Sequence, residues 1–368
     1  MKKKKLTVGI TGMNATPDNP APGIAVARCI QESSDFDVRI IALGYDAYDA
    51  GLYLSKYCDK SYLLPYPSAG ESALMARLST IHAEEQLDVL IPCLDAELLS
   101  MTRLQPVLEQ MGIRMFLPST QQLQLRNKEH LDLLSQQAGI SSPATRCINN
   151  IKFFYECIAE GWQYPFVVKG RFYDAQIVCN ADEGVSAFQR IAAQWGVPIL
   201  VQRLIRGEEY NVTALGDGRG KMLGPVMMKK VALTDKGKGW AGVCIADAVL
   251  HNTAEALIRT LQWQGPVEIE LIRDKQGKYQ LIEINPRFPA WIYLSVGVGR
   301  NLPAALLQLI EGRKLQEFPP AGVGTMFIRH SEEMIVELPS YESLIMHGVG
   351  QTYADSKLPI LTARVDAA

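Results

Sequence analysis

Residues 265–287 read GPVEIELIRDKQGKYQLIEINPR, and the alternation in this stretch decides how the rest of the chain is understood. Val267, Ile269 and Leu271 alternate with Glu268 and Glu270, the period-two pattern of a half-buried strand. Asp274, Lys275, Gln276 and Gly277 carry turn chemistry, and a second alternation over residues 279–285 runs until Pro286 ends it. The two runs make a hairpin. Glu283 and Asn285 are two apart and share one face, while Ile282 and Ile284 point to the core. Carboxylates and an amide oxygen on one face of rigid strands form a hard-oxygen site, suited to Mg2+ carried in by a nucleotide's phosphates. The competing reading is an ordinary acidic outer face. Asn285-Pro286-Arg287 argues against it by setting an acceptor and a phosphate-binding fork beside the acids. Register stays open: a loop of residues 275–278 pairs Glu270 with Glu283, and a loop moved back by one pairs Glu268 with Glu283.

Working outward, 368 residues at 48% hydrophobic content can bury large cores and form two or three domains. A formal net charge of −2 provides no overall basic field for nucleic acid, and the lysine run 2–5 leads straight into the first strand as a solvated tail. No apolar run is long enough to span a membrane, and the N-terminus lacks the pattern of a secretory leader. Seven scattered cysteines, never spaced as CxxC, and five histidines without HxH or HExxH spacing argue against disulfides and zinc. The expectation is a cytoplasmic protein with small-molecule partners.

Strands at residues 6–10, 38–43, 62–64 and 88–92 (DVLIP), with helices at 24–30, 72–85 and 96–110, predict a doubly wound parallel sheet closing near residue 118. The first loop, with Gly12, Asn14, Pro17, Pro20 and Pro22, is not the GxGxxG of a dinucleotide fold. Residues 93–97 follow DVLIP where open α/β sheets place ligands; Asp95 reads as a helix N-cap in preference to a ligand contact, whereas Glu97 is harder to explain by capping and is a candidate for the substrate side. Residues 119–139 have helical spacing with Ser119 as N-cap and contain Lys128. Strands follow at 164–170 (YPFVVKG, ending on Lys169), 176–179 and 198–204, and then at 210–216, 222–231 and 243–248. A Gly/Lys-rich loop spans 234–242, and helices lie at 153–160, 182–194, 254–264 and 303–315. Short strands at 324–328 and 334–337 and a helix at 341–346 finish the reading.

IEINPRF at 282–288, VQRLIRGEEYNV at 201–212, PFVVKG at 165–170 and a lysine in the preceding helix occur in an order that resembles the ATP-grasp superfamily. Its members include D-alanine–D-alanine ligases, biotin carboxylases and the large subunit of carbamoyl phosphate synthetase. The resemblance covers about residues 6–330. It implies an α/β chain: a preceding doubly wound parallel-sheet domain (1–118), then an α+β ATP-grasp fold of two subdomains with the nucleotide between them. The implied boundaries are 119–204 for the small lid subdomain, 205–340 for the catalytic subdomain and 341–368 for an extension.

The resemblance also assigns roles. Lys128 and Lys169 would hold the nucleotide phosphates. Gln202, Arg203 and Leu204 would form the adenine hinge, with Gln202 standing where relatives often have Glu, and Glu209 would take the ribose unless a slip exchanged it for Glu208. Glu270, Glu283 and Asn285 would bind Mg2+, or Mn2+ in its place, with Glu270 preferred to Glu268. Arg287 would bind the γ-phosphate or an acyl-phosphate, and Lys229 or Lys230 would be a further phosphate contact. The implied reaction is an ADP-forming carboxylate–amine ligation through an acyl-phosphate, on a homodimer. The alternatives are phosphorylation of bicarbonate or carbamate and a nucleotide-binding regulator without turnover. One departure matters. Residues 170–176 (GRFYDAQ) carry a single glycine where relatives have a Gly/Ser-rich loop, so Arg171 or the loop 234–242 would have to close over the triphosphate.

Overall fold

The structure is a computed structural model in which residues 3–170 and 174–350 are described. The first four strands, β1 (Lys4–Ile10), β2 (Phe36–Gly44), β3 (Lys60–Leu63) and β4 (Val89–Ile91), pair in parallel in the order β3-β2-β1-β4. Leu6, Val8, Ile10, Ile40 and Ile41 are all but inaccessible, as expected of strands covered on both faces by crossover helices. A second, antiparallel sheet contains β5 (Thr145–Ile148), β6 (Phe166–Lys169), β7 (Ala175–Val178) and β8 (Ile199–Arg203), ordered β5-β8-β6-β7. Its own core is a cluster of Phe153, Phe154, Trp162 and Phe166 under the helix Ala181–Trp195. That helix is capped by Asn180, whose side-chain oxygen accepts from the Glu183 N–H.

The third sheet is the largest and carries the quoted hairpin. Its members are β9 (Gly207–Asp217), β10 (Met222–Leu233), β11 (Gly239–Ile245), β12 (Gln264–Asp274), β13 (Tyr279–Asn285) and β14 (Met326–Ile328), ordered β13-β12-β9-β10-β11-β14. Gly265 opens β12 at φ +88°, where a Cβ would lie 2.5 Å from the Phe116 carbonyl oxygen. A side chain there would push the hairpin off the end of the first domain.

Several expectations change. Residues 119–139 are not one helix: they form Thr120–Leu125, a single 3-10 turn Lys128–His130, and Leu131–Ala138. Residues 334–337 form no strand. Pairing is Glu268↔Asn285, Ile269↔Ile284 and Glu270↔Glu283, then skips to Leu271↔Leu281. Ile282 is therefore the extra residue of a bulge, and Leu281 takes the core place expected for it. The helix Leu338–His347 and β15 (Val349–Gly350) return to the first domain, where β15 pairs antiparallel with β3 and Leu344 is fully buried. Residues 338–350 thus complete the first layer by covering the exposed edge of β3.

Candidate functional site

The three sheets meet around a cavity of about 490 Å³. Its floor is one face of the large sheet, where period-two geometry aligns Asn211 on β9, Lys230 on β10, Glu268 and Glu270 on β12, and Glu283 and Asn285 on β13. Arg126 and Lys128 enter from the broken segment after the first domain, and Asp95 from the turn past β4. The break itself matters, because in a continuous helix Arg126 and Lys128, two residues apart, would point about 200° apart and could not both face the sheet. As folded, Lys128 Nζ lies 3.1 Å from Glu283 Oε1.

Glu268 and Glu270 behave differently although they share a face. Glu268 is 5% exposed and surrounded by donors. Asn211 Nδ2 and Trp291 Nε1 donate to its Oε1 at 2.7 Å each; Asn285 Nδ2 (3.1 Å) and an Arg287 terminal nitrogen (3.0 Å) donate to Oε2. Both its oxygens are committed. Among the described residues Glu270 accepts from just two donors, Asn285 Nδ2 at 2.9 Å and Lys230 Nζ at 3.2 Å. Burial alone would raise the Glu270 pKa, but Lys230 and Lys238 outweigh it and hold the carboxyl well below the usual carboxylate range. Lys230 also bonds Glu209 at 2.8 Å; burial opposes its charge, yet Glu270 and Glu209 keep it charged above the ordinary lysine range.

Arg287 lies between two acids, 3.4 Å from Asp95 and 3.0 Å from Glu268. Burial works against its charge; Asp95 and Glu268 overcome that and fix it as a cation. Asp95 also pairs with Arg126 at 3.0 Å. The expected roles of Asp95 and Glu97 are therefore exchanged. The helix Asp95–Gln110 starts one residue earlier than the capping reading required, with Leu94 as N-cap. Asp95 faces the cavity. Glu97, at the third helical position, turns back to accept from the Cys93 and Leu94 backbone N–H groups, both at 2.9 Å, and from the Thr11 and Tyr45 hydroxyls. It is inaccessible, and burial raises its pKa against those hydrogen bonds. Glu97 fixes the turn that presents Asp95 and is not a substrate contact. Replacing Glu97 with Ala leaves several buried donors without an acceptor and should lower stability by about 2–3 kcal/mol in a urea titration.

Arg126 is a site residue that the sequence motifs do not single out. Its Nη1 donates to the Ile284 carbonyl at 3.3 Å, and only the break in the helix brings it to the site. No periodicity marked it.

On the lid side, Lys169 Nζ donates to Gln202 Oε1 at 2.7 Å, and Gln202 Nε2 donates to Thr145 Oγ1 at 2.9 Å. The Gln202 carbonyl proposed for adenine is thus engaged by the neighbouring lysine. Burial first, and then the Lys128 charge, bring Lys169 down to about 8, against the pull of Glu283, Glu270 and Glu209. The Arg203 guanidinium sits over Trp162 and donates to the Gly161 carbonyl at 3.0 Å, so its side chain leaves the hinge; Leu204 follows the end of β8, half-buried. Glu208 pairs with Lys229 and Tyr210, and Glu209 with Lys230 on the site side. Lys230, rather than Lys229, reaches the acids. Arg171 lies outside the described residues. The turn 234–238 reaches the first domain, where Thr234 Oγ1 donates to the Asp18 carbonyl at 3.1 Å.

A divalent cation fits this donor set. Glu270 and Glu283 face each other across paired strands, each neutralised by a lysine, and Asn211 Oδ1 beside them is buried without a donor. The Asn285 amide now donates to Glu268 and Glu270, and a flip of that amide would turn its oxygen toward a cation held by Glu270 and Glu283.

Residues 196–331 match the family described as "ATP-grasp in the biosynthetic pathway with Ter operon". Among solved structures, the chain is similar to a biotin carboxylase–ATP complex from Campylobacter jejuni, with 18% identity, TM-score 0.66, and 86% of this chain and 72% of that one covered. It is also similar to L-amino acid ligase from Bacillus licheniformis, with 18% identity, TM-score 0.61, and 84% and 74% coverage. N5-carboxyaminoimidazole synthetase from Staphylococcus aureus, complexed with ADP, matches with 15% identity, TM-score 0.63, and 87% and 81% coverage. No curated protein matches the sequence. Residues 196–331 thus resemble an ATP-grasp family, and the chain shares the α/β fold of these solved structures, as the motifs implied.

Proposed function

We propose that the chain is an ATP- and Mg2+-dependent carboxylate–amine ligase that forms ADP. One observation carries this reading: cations from the lid and linking segment converge with acids of the large sheet on one cleft, with Lys128 paired to Glu283 and Lys169 within the field of Glu283 and Glu270. Such pairs are poised to exchange partners, the lysines and Arg287 turning to phosphate oxygens as Glu270, Glu283 and Asn285 turn to the metal. When bound, Mg2+ would neutralise charge on the phosphates and orient them for in-line transfer. Lys128 and Lys169 would hold the outer phosphates, and Arg287 would follow the phosphoryl group onto the carboxylate oxygen. Glu268 keeps the Arg287 fork in place. The carboxylate oxygen bonds the γ-phosphorus as the bond to the ADP oxygen breaks. The amine then attacks the acyl carbon, the C–N bond forms, the C–O bond to phosphate breaks, and phosphate leaves with the electron pair while the nitrogen gives up a proton that phosphate can accept. Backbone at Arg203 and Leu204 would meet the adenine, and Glu209 the ribose.

The test is ADP and phosphate release with purified protein, Mg2+ and ATP against panels of amino acids and amines. Release that needs both a carboxylate and an amine supports the proposal. Release with bicarbonate and no organic acid would instead favour a carbonate-activating enzyme, the chemistry of the carboxylase neighbours. Nucleotide binding with no release under any condition would favour a regulator.

The lowered Lys169 pKa gives a pH prediction. A phosphate partner favours the charged lysine, so binding nucleotide raises its pKa and takes up a proton. Between pH 7 and 9 the free lysine loses its proton, and MgADP affinity should fall several-fold. Lys169→Met should bind weakly at both pH values and show a flatter profile. Affinity of the parent protein that is unchanged across this range would remove Lys169 from the phosphate site.

A further inference from the structure

One end of the cavity is built by the first domain, from Pro20, Ala21 and Pro22 after β1 and from Leu94 and Ala96 on either side of Asp95. β1 and β4 are neighbours in the parallel sheet, so the loops at their carboxyl ends lie side by side. Gly12 shows how closely: at φ +69°, a Cβ built there would stand 3.4 Å from both the Ala21 Cβ and a Leu94 methyl carbon. The two segments form one wall.

This wall offers little that is polar. Pro20 and Pro22 have no N–H to donate. The Ala21 N–H is taken by Asn14, through its carbonyl at 3.3 Å and its Oδ1 at 3.2 Å, and the Leu94 N–H by Glu97 at 2.9 Å. Asp95 is paired with Arg126 at 3.0 Å and Arg287 at 3.4 Å. The positive end of the helix Asp95–Gln110 is met by its own Asp95 and Glu97. The other cations of the cavity answer to the floor. Burial lowers the Arg329 pKa against the pull of Glu268, and Lys238 helps keep Glu270 ionised against its own burial.

Arg287 decides what this wall faces, because it stands between Glu268 on the floor and Asp95 on the wall. A carboxylate that takes the phosphoryl group there points its oxygen at the phosphate and its carbon chain the other way, past Asp95.

We propose that this wall selects the acid substrate, whose side chain is apolar and uncharged and seats against Pro20, Ala21, Pro22, Leu94 and Ala96. This rests on the ligase reading for which end of the acid meets Arg287; whether such acids bind is measured without turnover. Acids with aliphatic or aromatic side chains belong to the class. A charged side chain is excluded, because the wall has no free counter-ion to replace the water it would lose.

The test is calorimetric titration of alanine, norvaline and norleucine, beside aspartate, glutamate and lysine, into the protein saturated with MgADP. Affinity should rise by about fourfold with each added methylene. The charged amino acids should bind about tenfold or more weakly than norvaline. Ala96→Leu, which fills the wall, should cut norleucine binding by about tenfold while leaving alanine within about twofold. Ala96→Asp, which puts a carboxylate there, should weaken norleucine and admit lysine. MgADP should bind both variants as it binds the parent. The proposal is overturned if charged amino acids bind as tightly as norvaline, if affinity does not grow with chain length, or if no panel member binds. It is also overturned if Ala96→Leu spares norleucine, if Ala96→Asp leaves the order of affinities unchanged, or if either variant loses MgADP. Failure of the ligase reading looks different: the apolar series binds in this order, yet no ADP forms from ATP with any of its members and an amine.

Discussion

Glu283→Gln should abolish ATP turnover while leaving the fold intact. Glu283 is a quarter exposed and among the described residues its ion-pair partner is Lys128, so losing its charge removes a partly solvated ion pair, worth about 1 kcal/mol or less. The loss of function should be far larger. The carboxylate is proposed to share the metal with Glu270, directly opposite on β12, and glutamine is a neutral, weaker ligand for a hard cation. Removing one such charge-stabilising group costs about 10²–10³-fold in rate by analogy with oxyanion-hole deletions. Steady-state ADP release and a urea titration of the same preparation check both halves. Turnover within threefold of the parent would remove Glu283 from the metal site, whatever the stability.

Glu268→Ala should do the opposite and damage the fold first. This carboxylate takes hydrogen bonds from Asn211, Trp291, Asn285 and Arg287 inside the sheet. Its removal leaves a buried arginine short of one of its two acids and several donors unpaired, a class of change that costs about 3–5 kcal/mol. Glu268→Gln fills the space but turns an N–H2 toward groups that are themselves donors, so it should be only partly better. A denaturant midpoint close to that of the parent would show that the network is not holding the hairpin to β9. This contrast separates the two acids: Glu268 as the scaffold and Glu270, with fewer donors and lysine compensation, as the proposed ligand.

Sequence carried the hairpin because alternation, a turn and a proline stop are local signals, and pairing of Glu270 with Glu283 was one of two registers that followed from loop length alone. The bulge at Ile282 could not be anticipated, since an inserted residue breaks the period without a residue type that announces it. Asp95 and Glu97 were exchanged because a one-residue shift of a helix start changes which acid caps and which faces out, and propensity does not resolve one residue. Arg126 was invisible for a related reason: residues 119–139 keep helical spacing through the break at Arg126 and Asn127. The bond between Lys169 and Gln202 joins adjacent strands β6 and β8, a contact set by sheet order rather than by any local pattern. Residues 338–350 gave little hint that they pack on the first sheet, because a two-residue edge strand is too short to show alternation.

The central claim is that acids of β12 and β13 hold a metal whose nucleotide is gripped by lysines from the other lobe. Calorimetric titration of ADP, with Mg2+ and then with excess chelator, tests it most directly in the parent protein and in the Glu270→Gln/Glu283→Gln double variant. The expected result is tight, Mg2+-dependent binding in the parent and loss of the Mg2+ dependence in the variant. Equal affinity with and without Mg2+ in the parent, or an unchanged Mg2+ effect in the variant, would contradict it.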